Sequence, residues 1–303
     1  MTDPAVPPGN HKASNQREHE LRQAAIRGES TPVTWAGWLR LCLRAAALVG
    51  LLLILLPLHY LYRTLAYGSP FPMLFLRYAA RICGARVTVI GTHLRRDVFY
   101  VANHLSWVDI LAVAGASGTA FVAKAELAET PVVGWLARLN RTVFVKREHR
   151  MGVAEQINAL REALFDNWSV TVFPEGTTTD GQSLLPFKTS MLSVLEPPPP
   201  GVLVQPVILD YGAVAEWIGW IGEESGVNNA KRVLSRRGTF RLKVHFLEPF
   251  SPEDFRGRKA IGMESRRRIE EGLVAILGRP LRPFAHTVPP VRYEPRPESQ
   301  LVD

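Results

Sequence analysis

Eighteen consecutive positions, Ala45 to Tyr62, carry no formally charged side chain, and the run Leu51-Leu52-Leu53-Ile54-Leu55-Leu56 lies among them. As an α-helix this stretch rises roughly 27 Å, marginal against a bilayer hydrocarbon core of about 30 Å. Arg40, Arg44 and Arg63 flank it, and Trp35, Trp38, Tyr60 and Tyr62 stand where interfacial aromatics belong. Two arrangements fit. One is a single membrane span; the other is a helical hairpin dipping into one leaflet, with Pro72 to Ile82 as its second arm. A buried core helix would account for the length but not for arginines at both ends beside an aromatic belt.

Residues 1–33 are rich in polar residues, Pro and Gly and lack an apolar period, so they read as a disordered tail. Residues 34–85 form the membrane-anchoring segment, 86–280 the main domain and 281–303 a C-terminal tail. A polar stretch of more than thirty residues before the apolar run argues against a secretory signal. Cys42 and Cys83 provide neither a disulfide framework nor metal-ligand spacing, so no metal and no bound cofactor are expected.

The formal charge of +8 is localised. Residues 1–30 are neutral, whereas Lys231 to Arg268 holds twelve Lys/Arg against four Asp/Glu. A basic face of this kind attracts anionic lipid headgroups, acidic carrier proteins or polynucleotides. No nucleic-acid motif or aromatic platform accompanies the charge, so nucleic acid is not an expected partner.

From Arg86 onward, short β-branched or aromatic runs alternate with helical patterns. The runs are Val87 to Ile90, Val98 to Val101, Phe121 to Ala123, Thr142 to Val145, Val170 to Phe173, Val202 to Leu209 and Phe240 to Phe246. Val153, Ile157, Leu160 and Leu164 step along one helix face, as do Ile269, Leu273 and Ile276. Such alternation predicts an α/β domain with a mixed, largely parallel sheet flanked by helices.

Function in open α/β sheets gathers at the carboxyl ends of strands. Asn103-His104-x-Ser106-x-x-Asp109 follows the strand ending at Val101. A neutral imidazole takes a proton from a hydroxyl when an acceptor holds its other nitrogen. Positions i and i+5 of one helix face different ways, so His104 must lie in the turn before a helix and Asp109 one turn inside it. Asn103 or Ser106 is the expected N-cap. The second cluster, Phe173-Pro174-Glu175-Gly176-Thr177, offers a carboxylate and unhindered amides at another strand exit. Glu216-Trp217-Ile218-Gly219-Trp220-Ile221 suits either a membrane-facing entrance or ordinary helix packing.

The pair N-H-x-x-x-x-D and F-P-E-G-T resembles the 1-acyl-glycerol-3-phosphate acyltransferases, the PlsC-like family of lysophospholipid acyltransferases. Lys124-Ala125-Glu126-Leu127, Pro131, Gly134-Trp135 and Thr142 to Arg147 resemble that family's second block, and Val204-Gln205-Pro206-Val207 its fourth. The resemblance implies the glycerolipid acyltransferase fold and transfer of a fatty acyl group from acyl-CoA or acyl carrier protein to a lysophospholipid hydroxyl. Phosphatidic acid would be the product. It makes His104 the general base and Asp109 its orienting partner, with no acyl-enzyme intermediate. Arg147, Glu175, Gly176 and Thr177 would hold the acceptor, with Lys124 as a second cation. A thioester donor implies a catalytic domain at the cell membrane that faces the cytoplasm.

One departure matters. The family pattern continues F-P-E-G-T-R, but this chain has Thr178, which removes one charge-assisted contact of roughly 1.5–3 kcal/mol. Lys188, in Leu185-Pro186-Phe187-Lys188, compensates if its loop folds back. The run F-P-E-G-T-T-x-D-G…L-P-F-K also looks like the superfamily branch containing ornithine-lipid O-acyltransferases, so O-acylation of a lyso-aminolipid such as lyso-ornithine lipid is the second expectation. A catalytically silent lipid-binding scaffold would leave His104, Asp109, Arg147 and Glu175 in order without a reason. A hydrolase would need a nucleophile, and no G-x-S-x-G elbow surrounds Ser106.

Overall fold

The computed structural model describes residues 9–66, 69–145, 158 and 169–286. Its apolar helix is longer than the uncharged run. Helix α1 (Gly9–Ile26) precedes α2 (Trp35–Leu65), which is capped by the Thr34 hydroxyl accepting from the Gly37 amide. The most apolar eighteen-residue window of α2 buries none of its residues.

The first turns of α2 dock on the sheet domain, while its last turns meet the returning chain through His59, whose Nδ1 lies 2.8 Å from Ser69 Oγ, and through Tyr62 against Phe71. Arg40 donates to the Ser235 carbonyl at 2.9 Å, and Arg44 to Leu234 at 2.9 Å and Gly238 at 3.1 Å. The Leu234 and Ser235 carbonyls end helix α8 (Gly226–Ser235), where cations satisfy the orphan acceptors of a helix terminus, and Gly238 lies just beyond it. Helix α3 (Phe71–Ile82) then returns along α2 and packs on α4 (Val108–Ser117), with Arg77 Nε donating to Gly115 O at 2.8 Å. A Cβ on Gly115 would stand 2.7 Å from Arg77 Cα, so the close approach requires glycine there. The chain leaves α3 at Gly84, beside Arg44, and so comes back to the level from which α2 departed. Twelve residues of α3 rise only about 18 Å, too short to recross a bilayer.

The strands are β1 (Ala85–Ile90), β2 (Val98–Ala102), β3 (Ala120–Lys124), β4 (Val143–Val145), β5 (Ser169–Val172), β6 (Leu203–Asp210) and β7 (Phe240–Phe246). Among the described residues they form a seven-stranded sheet in the order β1-β7-β6-β2-β5-β3-β4, parallel throughout except between β6 and β7. The mixed, largely parallel sheet expected from sequence is therefore present, and each expected run overlaps a strand. Strands β2 and β5 are buried at every position, as helix cover on both faces requires. Strand β7 alternates instead, with Phe240, Leu242, Val244 and Phe246 inward and Arg241 and Lys243 exposed.

On one face α3, α4, α7 (Ala215–Ile218) and α8 pack through Ala80, Val108, Val113, Ile218 and Val233. On the other, α9 (Gly257–Leu277) packs through Ile261, Ile269 and Leu273. The short helices α5 (Glu126–Glu129) and α6 (Pro131–Leu139) connect β3 to β4. The helix expected around Val153 to Leu164 lies outside the described residues.

The disordered tail expected over 1–33 differs from what is seen from Gly9 onward. Arg22 of α1 is only 4% exposed, and its guanidinium meets Glu224 at 3.0 Å. Glu224 also receives Arg232, Asn228 and Asn229, so one buried carboxylate draws this polar segment against the domain. The start of the expected C-terminal tail is likewise held: Arg282 donates through its backbone to Gln182 and through its side chain to Asp180, both at 3.0 Å.

Candidate active site

Three adjacent strands, β6, β2 and β5, end side by side, and each delivers one part of a single polar cluster. After β2, Asn103 extends the ladder with its side chain, accepting from the Leu209 amide at 2.8 Å and donating to the Leu209 carbonyl at 3.3 Å. It is therefore not the N-cap expected from sequence, because its amide group is used as a substitute peptide. Ser106 Oγ lies 3.4 Å from the Val108 amide, and Asp109 sits in the first turn of α4.

The expected convergence of His104 and Asp109 is present. His104 Nδ1 lies 2.8 Å from Asp109 Oδ2. The same oxygen accepts the amides of Leu105 at 2.6 Å and Ser106 at 2.9 Å, while Oδ1 accepts the Tyr211 hydroxyl at 2.5 Å. An ionised carboxylate donates nothing, so the proton at the His104 contact belongs to Nδ1. That leaves Nε2 with a lone pair, on a side chain that is 18% exposed while Asp109 is fully buried. The imidazole stacks on Phe173 at 4.0 Å between ring centroids and 15° between planes, and Phe173 stacks in turn on Phe121. The arrangement can take a proton from a hydroxyl that approaches Nε2.

Glu175, expected to hold the acceptor, is a buried residue. It is 1% exposed; Oε1 accepts the His104 amide and Oε2 the Leu185 amide, both at 2.9 Å. Burial, aided by the nearby Asp109 charge, pushes its carboxyl up to about 8. Its two oxygens thus hold the backbone of the dyad turn and of the Leu185 segment together. Gly176 and Thr177 lie half-buried in the same turn. Thr178 is 9% exposed and its hydroxyl donates to the Trp220 carbonyl. Lys124 ends β3, and Arg147 lies outside the described residues.

Sequence reasoning missed several supports. Tyr211 follows β6 by one residue, at the strand end that should have drawn notice. Thr179 gives its amide to the His104 carbonyl at 2.7 Å. Trp220 belongs to packing rather than to a free entrance: its amide donates to Leu105 O at 2.8 Å and its indole to Glu224 O at 2.6 Å. Trp107 reaches Asn229 at 3.0 Å, which ties the turn after His104 to the cluster around Glu224. An open groove of about 890 Å³ along α9 contains none of these residues.

A family model described as acyltransferase matches residues 86–210, a span that begins in β1 and closes with β6. Over 261 residues the chain is 33% identical to a lyso-ornithine lipid O-acyltransferase of Brucella abortus, covering 80% of this chain and 97% of the relative. The chain belongs to the acyltransferase family. It is an O-acyltransferase that transfers an acyl group to a lyso-lipid. The acyltransferase is also 37% identical to a 1-acyl-sn-glycerol-3-phosphate acyltransferase of Neisseria gonorrhoeae, over 31% of this chain and 37% of that one. Its fold matches the crystal structure of the 1-acyl-sn-glycerophosphate (LPA) acyltransferase PlsC from Thermotoga maritima with a TM-score of 0.60. That likeness covers 80% of this chain and 96% of that one at 23% identity.

Proposed function

We propose that this acyltransferase moves a fatty acyl group from acyl-CoA or acyl carrier protein onto the free hydroxyl of a lyso-ornithine lipid. His104 Nε2 takes the hydroxyl proton while Asp109 holds Nδ1–H and balances the imidazolium that forms. The oxygen attacks the thioester carbonyl, the tetrahedral adduct expels the thiolate, and the proton on Nε2 leaves with the thiol. The acceptor assignment is carried by the Brucella abortus similarity, which runs through 97% of that relative, whereas the Neisseria gonorrhoeae similarity spans 37% of its own. Thr178 agrees with it: where phosphoglycerol enzymes place an arginine, this side chain is turned inward to Trp220. Phosphatidic acid formation, the first expectation from sequence, becomes the second reading.

The return of the chain beside Arg44 supports a hairpin seated in one leaflet, with the catalytic domain facing the cytoplasm and its thioesters. The test presents lyso-ornithine lipid and lysophosphatidic acid in parallel, each with acyl-CoA and acyl carrier protein thioester. Faster acylation of lyso-ornithine lipid is expected; a preference for lysophosphatidic acid rejects the acceptor. His104→Ala should abolish transfer while leaving the fold intact, and substantial residual activity in pure variant would reject the base.

A further inference from the structure

Asp109 divides its two oxygens between different tasks. Oδ2 takes the His104 contact and the amides of Leu105 and Ser106, all from one short segment of chain. Oδ1 takes the Tyr211 hydroxyl, which arrives from 102 positions away at 2.5 Å. Tyr211 is 3% exposed, and its ring stacks on Phe240 at 6.0 Å between centroids and 23° between planes. The turn that presents it is fixed as well, since Asp210 Oδ1 accepts the Gly212 amide at 2.7 Å. Burial, with the Asp109 charge second, holds the phenol well above its ordinary range, so the hydroxyl remains a donor. A buried tyrosine needs an acceptor, and any carbonyl would serve. This one is aimed at the buried charge of the dyad.

We propose that Tyr211 is the positioning residue that sets the strength of the base. The inference rests on His104 acting as that base. Holding Oδ1 fixes the plane of the carboxylate and keeps Oδ2 on Nδ1. The donated hydrogen also disperses the carboxylate charge, and the hydroxyl dipole turns its positive end toward the imidazole. A proton on Nε2 is then held less tightly than beside a bare carboxylate, and passes more readily to the leaving thiolate. Of the other ionisable groups around the pair, Glu175 stands behind the His104 amide, where burial raises its carboxyl to about 8, and Lys188 crosses Gly176 in the same turn. Arg266 acts on Glu175 from α9. Asp180 pairs with Arg282, and Asp210 turns to Lys243 and His245. Removing the Tyr211 hydroxyl leaves all of these groups in place.

The full chain in mixed micelles tests this through the pH profile of kcat for wild type and Tyr211→Phe. The assay uses acyl-CoA and whichever of lyso-ornithine lipid and lysophosphatidic acid is acylated faster. The acid limb should move up by roughly 0.5 to 1 pH unit, so that Tyr211→Phe runs about 3- to 10-fold slower below the limb and nears wild type above it, at constant acceptor KM. NMR titration of the His104 ring, assigned by its absence in His104→Ala, should show the same displacement without substrate. Biosynthetic 3-fluorotyrosine, whose more acidic hydroxyl donates more strongly, should move the limb down in an otherwise unchanged chain. A loss of equal size at every pH, or an unmoved limb, or an unmoved His104 titration, overturns the inference while His104 stands as the base. Activity surviving in His104→Ala overturns the base itself, and the role of Tyr211 with it.

Discussion

Asp109→Asn removes one negative charge from the dyad and almost nothing else, and the surrounding donors dictate how the amide sits. The Oδ2 position faces the amides of Leu105 and Ser106, so an NH2 group placed there would oppose two donors. The Asn oxygen must take that position, with its nitrogen toward Tyr211, whose hydroxyl can rotate to accept. In this orientation the oxygen still accepts His104 Nδ1–H, so the imidazole keeps the tautomer that catalysis needs. What disappears is the charge opposite the imidazolium.

Two unit charges about 4 Å apart attract by about 4 kcal/mol at an effective dielectric constant of about 20. With half to all of that charge developed in the transition state, transfer should slow by about 30- to 1000-fold, since about 1.4 kcal/mol is a factor of ten. KM for the acceptor should hold, because the charge touches no acceptor atom. Stability should fall by only about 1–3 kcal/mol, as charge-assisted bonds become ordinary ones. Thiol release from acyl-CoA, followed at varied acceptor concentration in micelles, separates the two constants. A variant within about threefold of wild type would show that the Asp109 charge is not needed and would refute the electrostatic reading.

The cluster around Glu224 offers a stability test: Glu224→Ala strips two buried guanidinium groups, Arg22 and Arg232, of their counter-charge and should cost about 3–5 kcal/mol. Thermal unfolding in detergent reads this, and a loss under about 1 kcal/mol would mean that the network relaxes. Glu175 predicts a pH dependence, because its carboxyl is raised from 4.5 to about 8, so the folded chain holds a proton that the unfolded chain releases. That contribution to stability is complete below about 4.5 and is lost as pH rises to about 8. Glu175→Gln lacks the titration, so wild type should lose melting temperature relative to it between pH 5 and pH 8; a constant difference rejects the shift. Finally, Leu53 and Ile54 are 66% and 64% exposed on α2, and replacing both by Lys should weaken co-sedimentation with vesicles without altering the unfolding midpoint. Unchanged sedimentation would remove the hairpin from the anchor.

The parts of this molecule that repeat were legible in the sequence. Strand β2 announces itself through Val98 to Val101 because a strand buried on both faces is apolar throughout, and Ile269 and Leu273 mark α9 through their spacing. His104 and Asp109 could be placed before and inside a helix because the angle between i and i+5 permits little else. The supports escaped because they are single contacts from distant segments. Nothing around Arg22 distinguishes it from a solvated arginine until Glu224, 202 positions away, is brought against it. The surroundings of Glu175 were hidden for a related reason: a carboxylate in a glycine-containing loop reads as an acceptor ligand, and only the fold shows two backbone amides aimed at its oxygens.

Among the described residues, the antiparallel junction of β6 and β7 links the base of α2 to the polar cluster. Because β7 runs against β6 and alongside β1, the starts of β7 and β1 lie at the sheet end where β6, β2 and β5 finish. That end holds His104, Asp109, Glu175 and Tyr211. It also holds Gly84 and Gly238, which meet Arg44 at the root of the hairpin. With α2 and α3 seated in a leaflet, as proposed, this end of the sheet would face the headgroup layer. A lyso-lipid would then keep its chain among the lipids while its hydroxyl, only a few bonds from its headgroup, came to Nε2 of His104. Arg40 and Arg44 would serve as interfacial cations on a simple span; here they are committed to the last carbonyls of α8, so they hold the hairpin at a fixed angle to the sheet. On the proposed function, the helix that anchors the enzyme would thus also set the height at which His104 meets the hydroxyl.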